Sequence, residues 1–388
     1  MALPQTPVSF SRFGELAVRV VQLHRSLLSR CIHKRHHPAV AEGLRIRVAG
    51  VDGAGAAFSA ADVSEALGVP VVGVDVVERF AASAADVARL RVRCADRDEL
   101  SVIGKWATGA GVVGARREVR FFEQLAPRWD HPAPQLLGVC DAGEGVLLLS
   151  ENLNAAGYHS PGGSVSEAQL RGTIETLVGL HACFWNDVPL DAKQSELSVT
   201  STAQAWPPEV IARHAAAVRD EAETFFAMDT ELDAGERAEL EDILEAWERQ
   251  FQVRVAGGAA ITLIHGDFHF LGNVFFRPDD VRPKVIDWSE AKPGLGPHDL
   301  AYCLTVVPTE DRLARDRVLL RRYWDGLRSA GVGDYSWELC EWDFRFSAIS
   351  NLFQSVFQRS AKWYRKSLAE IEALGSREVL AAPPPLPI

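Results

Sequence analysis

The amino-acid sequence predicts an α+β chain in two parts, a small one of antiparallel strands with a helix and a larger one that is mainly helical. Three observations carry this reading. Between Val71 and Ala107, three β-prone runs follow one another with short, turn-prone links. From Ser166 to about Leu374, apolar residues recur mostly at helical spacing. Within that helical part, the stretch ITLIHGDFHFLGNVFF followed by RPDDVRPKVIDW breaks the pattern with short apolar runs around a polar loop.

Composition sets the outer bounds. A chain of 388 residues with 47% hydrophobic and 24% charged residues suits a soluble globular enzyme with a large core and two domains. Its formal net charge of −11 argues against a nucleic-acid backbone as the main partner. The six cysteines, at 31, 94, 140, 183, 303 and 340, show no paired short spacing, so buried thiols are expected rather than a disulfide framework or a zinc site. No stretch reaches the ~20 apolar residues of a membrane span. The opening MALPQTPVSFSRFGELAVRV lacks a long apolar signal core. A cytoplasmic chain with neither nucleic-acid nor membrane partners is the expectation.

Taken in order, residues 1–50 predict a helix over Phe13–Leu28 and then a basic cluster, Arg30, His33, Lys34, Arg35, His36 and His37, read as a solvated helix end. The small, Gly-rich stretch 49–66 lacks the spacings of a dinucleotide fingerprint or a P-loop. SAADVSEALG reads as a short helix capped by Ser59 or Asp62. VVGVDVVERF, VARLRVRC and LSVIGKWA then alternate as strands of a meander. Lys105 stands inside the third run, where an ammonium must face solvent or an anion. Thirteen residues later Glu118 occupies the polar edge of the helical pattern ARREVRFFEQL.

PAPQLLGVC and Val146–Leu149 are two more strand runs, the second leading into Ser150, Glu151 and Asn152. After the loop AAGYHSPGGSVS, Ser166 and Glu167 open a helix that buries Leu170, Ile174, Leu177, Val178 and Trp185, with His181 as a packed core histidine. Two helices with acidic outer faces are expected within 186–260, and helices again over about 311–374. Between them, Ile261–Ile264, Val274–Phe276 and Val285–Ile286 frame a loop and a small hairpin. These present His265, Asp267, His269, Asn273 and Asp287. Two carboxylates with an amide oxygen suit Mg²⁺, and Mg²⁺ suits a phosphate-bearing substrate.

On those residues the chain resembles the aminoglycoside phosphotransferase and choline kinase superfamily, whose fold is bilobal and protein-kinase-like. The LHACFW string at 180–185 is similar to the ecdysteroid-kinase-like branch. The resemblance implies ATP-dependent transfer of a phosphoryl group to a hydroxyl of a small molecule such as an aminoglycoside, aminocyclitol or sugar. ATP or GTP and Mg²⁺ would be the cofactors. It makes Asp267 the catalytic-loop Asp, Asn273 and Asp287 the metal ligands, His265 the structural His of the HGD motif, and Asp299 a structural Asp holding the loop backbone. Lys105 would contact the nucleotide phosphates and pair with Glu118, with Glu123 as the weaker alternative. Ser83 would donate to phosphate from the glycine-free loop 81–86. Backbone groups at Ser150, Glu151 and Asn152 would meet the base, and His269, Trp288, Arg345 and Phe346 would be candidates for the acceptor pocket.

The implied layout is an N-terminal helical extension (1–70), a nucleotide-binding small lobe (71–152), a large lobe (153–380) and a tail (381–388). The sequence departs from the family in two respects: Asn273 stands six residues after Asp267, where five is usual, and the loop 81–86 that should cover the phosphates has no glycine. A protein kinase is disfavoured, because only the short SEAKPGLGP lies between Asp287 and Asp299. The rival class is a non-catalytic nucleotide-binding scaffold, and turnover of any acceptor separates the two.

Overall fold

The computed structural model describes residues 57–82, 84–130, 133–143, 145–188, 206–228 and 232–385. The expected helix at 13–28, the basic cluster at 30–37 and Ser83 lie outside the described residues. The fold is α+β and two-lobed, with a small sheet-and-helix part and a larger helical part. The chain divides into two compact units, one drawn from Met1–Val112 with Leu137–Leu149, the other from Val113–Leu136 with Ser150–Ile388.

Among the described residues, the first helix of the small unit is α1, Ala60–Leu67. Ser59 caps it by accepting the Asp62 N–H, and Gly68 ends it in the left-handed conformation at φ 65°. Three strands then run as an antiparallel meander: β1 Val71–Phe80, β2 Asp86–Cys94 and β3 Leu100–Thr108. Alternation decides their faces: Ala88, Leu90 and Val92 point into a core with Phe58, Val63 and Val102, while Arg89, Arg91 and Arg93 point away. Because Leu90 pairs with Val102 and Val87 with Lys105, Lys105 stands on the face opposite that core. β4, Leu136–Asp141, and β5, Gly145–Glu151, complete a five-stranded sheet in the order β1-β2-β3-β5-β4.

Between β3 and β4 lies α2, Gly111–Arg120, which continues as a single π-helical turn over Phe121–Leu125. The second unit is built on α3, Glu167–Cys183, started by a reciprocal capping box between Ser166 and Gln169. Two long helices follow, α4 Pro208–Met228 and α5 Ala234–Val255, the latter opened by the same device at Asp233 and Glu236. Strand β6, Thr262–Ile264, pairs with β9, Lys292–Gly294, and between them β7, Val274–Arg277, and β8, Asp280–Val285, form a hairpin. Helices α6 Pro297–Leu304, α7 Arg312–Ser329, α8 Trp337–Ala348, α9 Ser350–Phe357, α10 Ala361–Ala373 and α11 Ser376–Ala381 complete the unit.

One buried network fixes where β6 begins. Arg254, at the end of α5, binds both carboxylate oxygens of Asp343 at 2.7 and 2.8 Å and donates to the Ala259 and Ala260 carbonyls. Tyr335 donates to the same carboxylate. The side chains of Arg254 and Asp343 are at most 1% exposed, so removing either one would strand a buried charge at a cost of about 3–5 kcal/mol. Asn186 accepts the Ile261 N–H on the other side. The Ala259, Ala260 and Ile261 carbonyls and the Ile261 N–H therefore all have partners where the chain enters β6.

Candidate active site

Leaving β6, the chain turns through His265 and Gly266 above the carboxylate of Asp299, which sits in the first turn of α6. Asp299 accepts the N–H of His265 at 2.7 Å and that of Gly266 at 2.9 Å. Gly266 has φ +84°, and a Cβ there would stand 2.6 Å from the Glu290 carbonyl oxygen, so glycine answers both a backbone and a space requirement. His181 of α3 reaches the same carboxylate through Nε2 at 3.3 Å, while its Nδ1 faces the Tyr323 hydroxyl at 2.8 Å. A carboxylate can only accept, so Nε2 carries the proton and Tyr323 donates to Nδ1. Burial pushes the Asp299 carboxyl up, but the His181 hydrogen bond and the neighbouring histidines outweigh it and hold it at about 2.

The His265 side chain braces the loop from within. Its Nε2 lies 2.9 Å from the Ile286 carbonyl, and its Nδ1 accepts the Asp267 N–H at 3.1 Å. These partners dictate one tautomer. The ring leans on Trp288 at 4.7 Å between centroids, and Trp288 is itself stacked on Phe121 at 3.6 Å.

Asp267 emerges from this bracing with its side chain 32% exposed. Its Oδ2 accepts from Asn273 Nδ2 at 2.9 Å and stands 3.6 Å from His269 Nε2. Burial raises the Asp267 carboxyl and the Asp287 charge adds to that; His269 beside it and the neighbouring histidines win, leaving it below the usual carboxylate range. The Tyr302 phenol lies beside Asp267. Burial, with that carboxylate beside it, pushes its pKa far up, so it stays protonated and able to donate.

The six-residue interval is absorbed in a turn. Residues 270–273 wind so that the Asn273 N–H bonds the His269 carbonyl at 3.2 Å, and Phe270 is buried beneath. Asn273 then donates both amide hydrogens to Asp267, one to its carbonyl at 2.8 Å and one to its carboxylate. That orientation leaves Oδ1 as the acceptor of the side chain. The hairpin completes the set, since the Ile286 N–H bonds the Asn273 carbonyl at 2.9 Å and thereby places the next residue, Asp287, beside Asn273. Asp287 takes the left-handed conformation (φ 63°, ψ 65°), and its Oδ1 accepts from Ser289 Oγ at 2.7 Å.

Among the described residues no cluster of three or more His, Cys, Asp or Glu side chains could hold a metal. One amide oxygen and one carboxylate are nevertheless the sparse oxygen set that Mg²⁺ takes when water and phosphates fill the rest of its shell. The residues present therefore fit Mg²⁺ bound together with a phosphate ester. They do not fit a metal caged wholly by protein.

The other candidates fall in varied surroundings. Lys105 lies on β3 in the small unit, and Glu118 lies on α2 in the second, 6% exposed, with Oε1 accepting the Trp288 N–H at 3.3 Å. Glu123 lies in the π-helical turn. Ser150 and Glu151 end β5 and Asn152 follows, its Oδ1 accepting the Ala155 N–H at 3.3 Å. His269 joins Asp267 at the loop edge. Trp288 is fully buried, and Phe346 is buried with its ring stacked on Trp342. Arg345 is engaged by Glu378 at 2.6 Å and by the Gly375 carbonyl. Ser289 donates to Asp287 and Tyr302 lies beside Asp267; neither carries a signal in the sequence that sets it apart from its neighbours.

A profile of the phosphotransferase enzyme family matches residues 90–331. No curated protein sequence matches the chain. Among solved structures, a microcompartment-associated aminopropanol kinase aligns with a TM-score of 0.51 and 12% identity, over 80% of this chain and 92% of its own. The GDP and kanamycin complex of APH(2")-IIia aligns at 0.49 and 14% identity, over 82% and 98%. An amicoumacin kinase in complex with AMP-PNP and Ca2+ aligns at 0.49 and 16% identity, over 83% and 92%. At such identities the likeness speaks to the fold alone, and the first of the three supports it.

Proposed function

The chain belongs to the phosphotransferase enzyme family, and from that premise we propose that it moves the γ-phosphoryl group of ATP, or of GTP, to a hydroxyl of a small molecule. The observation that carries this reading is the Asp267 carboxylate, exposed at a braced loop edge and held by the Asn273 amide, with Asp287 on the adjoining hairpin end. Asp267 receives the acceptor hydroxyl as a hydrogen-bond donor and aims its oxygen at the phosphorus. With its pKa held low, the carboxylate is a weak base, which suits a loose transition state in which the bond to the departing nucleoside diphosphate breaks early and the hydroxyl proton passes late to Asp267. Positioning and charge stabilisation then supply most of the rate.

Asn273 Oδ1 and the Asp287 carboxylate are the groups that would hold Mg²⁺, whose chemistry is to neutralise charge on the phosphates. Ser289 keeps Asp287 in its rotamer. Lys105, on β3 of the small unit, is the proposed phosphate contact, and Ser150 to Asn152, in the second unit, are the stretch whose backbone is proposed to meet the base. Within the family, the LHACFW string supports the ecdysteroid-kinase-like branch as the narrower reading.

The test is a panel that pairs ATP and GTP with aminoglycosides, aminocyclitols, sugars, choline and nucleosides, read by the mass of a phosphorylated product. A mass gain of one phosphoryl group on any acceptor is the expected result. Nucleotide binding with no turnover across the panel would overturn it in favour of the scaffold reading.

A further inference from the structure

The end of β5 and the segment that follows it are bound to the β7–β8 hairpin and its loop at successive points. Both carboxylate oxygens of Glu151 meet Lys284 Nζ, at 3.0 and 2.7 Å. These side chains are only 24% and 12% exposed, so solvent screens the pair less than it would a surface bridge. Lys284 Nζ also lies 5.1 Å from the centre of the Tyr158 ring, and the Arg277 guanidinium lies 5.7 Å from it. Next to Tyr158, His159 pairs with Phe276 through two backbone hydrogen bonds of 2.8 and 2.9 Å. Ser160 Oγ then donates to the Phe270 carbonyl at 2.8 Å, inside the turn that absorbs the long Asp267–Asn273 interval.

The hairpin end of these contacts is close to the proposed metal ligands. Lys284 is opposite Phe275, one rung from the Val274–Val285 pair that adjoins Asn273 and Ile286. The other end is anchored too, as the Gln135 N–H donates to Glu151 Oε2 at 3.1 Å and the Glu151 N–H to the Gln135 carbonyl at 2.9 Å. The geometry points to a strap: Glu151, Lys284, Tyr158 and Ser160 are positioning residues that tie the stretch meeting the nucleotide base to the hairpin carrying Asn273 and Asp287. The inference rests on the phosphotransfer reading for the identity of the ligand. Its physical content is pre-organisation, since a strapped segment has little freedom left to lose when a nucleotide orders it.

The experiment measures binding of a fluorescent ADP analogue, with and without Mg²⁺, to the full chain carrying K284M, E151Q, both changes, or the reversed pair E151K/K284E. Amide exchange at His159 and Phe276 is followed in the nucleotide-free proteins. Either single change should weaken the Mg²⁺ complex about fivefold, the double change should be no worse than the singles, and the reversed pair should recover most of the loss. The loss should be larger with Mg²⁺ than without it, and exchange at His159 and Phe276 should quicken in K284M. Unchanged affinity and exchange in a folded K284M, single effects that multiply in the double variant, or equal losses without Mg²⁺ would overturn the strap alone. A parent protein that binds no nucleotide would overturn the phosphotransfer reading and the strap together.

Discussion

The floor beneath the HGD loop and the loop's outer edge use the same residue types to opposite ends. On the floor, His181, His265, Asp299 and Tyr323 are fully buried, and Asp299 collects two backbone N–H groups and an imidazole. On the edge, the side chains of Asp267 and His269 are 32% and 24% exposed, and the buried Nδ1 of His269 has no partner. A buried charge with every bond made is the signature of a structural group; a part-exposed carboxylate beside an imidazole with an unpartnered nitrogen is where the proposed chemistry has room to act. Floor substitutions should therefore read out as stability and edge substitutions as rate or metal dependence.

The sharpest break on the floor is D299A, which strands two N–H groups and an imidazole. It should lower the unfolding free energy by about 3–5 kcal/mol in denaturant titrations. A loss below about 1 kcal/mol would contradict the floor's role. Acid distinguishes the same residue by sign. The folded carboxyl, held at about 2, lies below the unfolded value of about 3.9, so its stabilisation is complete above about pH 4 and lost as pH falls toward 2. Between those limits the parent should lose about 2 kcal/mol more than a folded D299N variant. Parallel pH curves would show that Asp299 is not held low.

On the edge, N273A should raise the Mg²⁺ concentration for half-maximal turnover about tenfold with little change in unfolding midpoint. An unaltered metal titration would remove Asn273 from the metal set. Smallest of all, Y323F removes one hydrogen bond to His181 and should cost about 1 kcal/mol of stability while nucleotide affinity holds.

The floor and edge were not equally legible in the sequence. Alternation in β2 sorts Ala88, Leu90 and Val92 from Arg89, Arg91 and Arg93 without any tertiary knowledge, and Ser59 and Ser166 mark helix starts by local chemistry alone. Asp267, Asn273 and Asp287 stood out because acceptor oxygens of that kind, clustered around short strands, have few structural uses. What lay hidden depends on distant partners. β9 is three residues long and exists through its pairing with β6, and Tyr302 meets Asp267 only after α6 has turned it there. Trp288 and Phe346 show the limit most plainly: an aromatic side chain carries the same signal in a binding wall as in a core. Their burial became visible only with Phe121 and Trp342 stacked against them.

The central claim is that the edge works by orienting an acceptor hydroxyl at Asp267, and D267N tests it most directly. The substitution keeps the shape and the place of Asp267 in the braced loop, so the folded protein and its Mg²⁺-nucleotide affinity should persist within about twofold. Phosphoryl transfer to an acceptor found by the panel should fall by about 10³-fold, in kcat rather than in acceptor KM. A D267N protein that transfers phosphate at the parent rate, with nucleotide binding intact, would contradict the account.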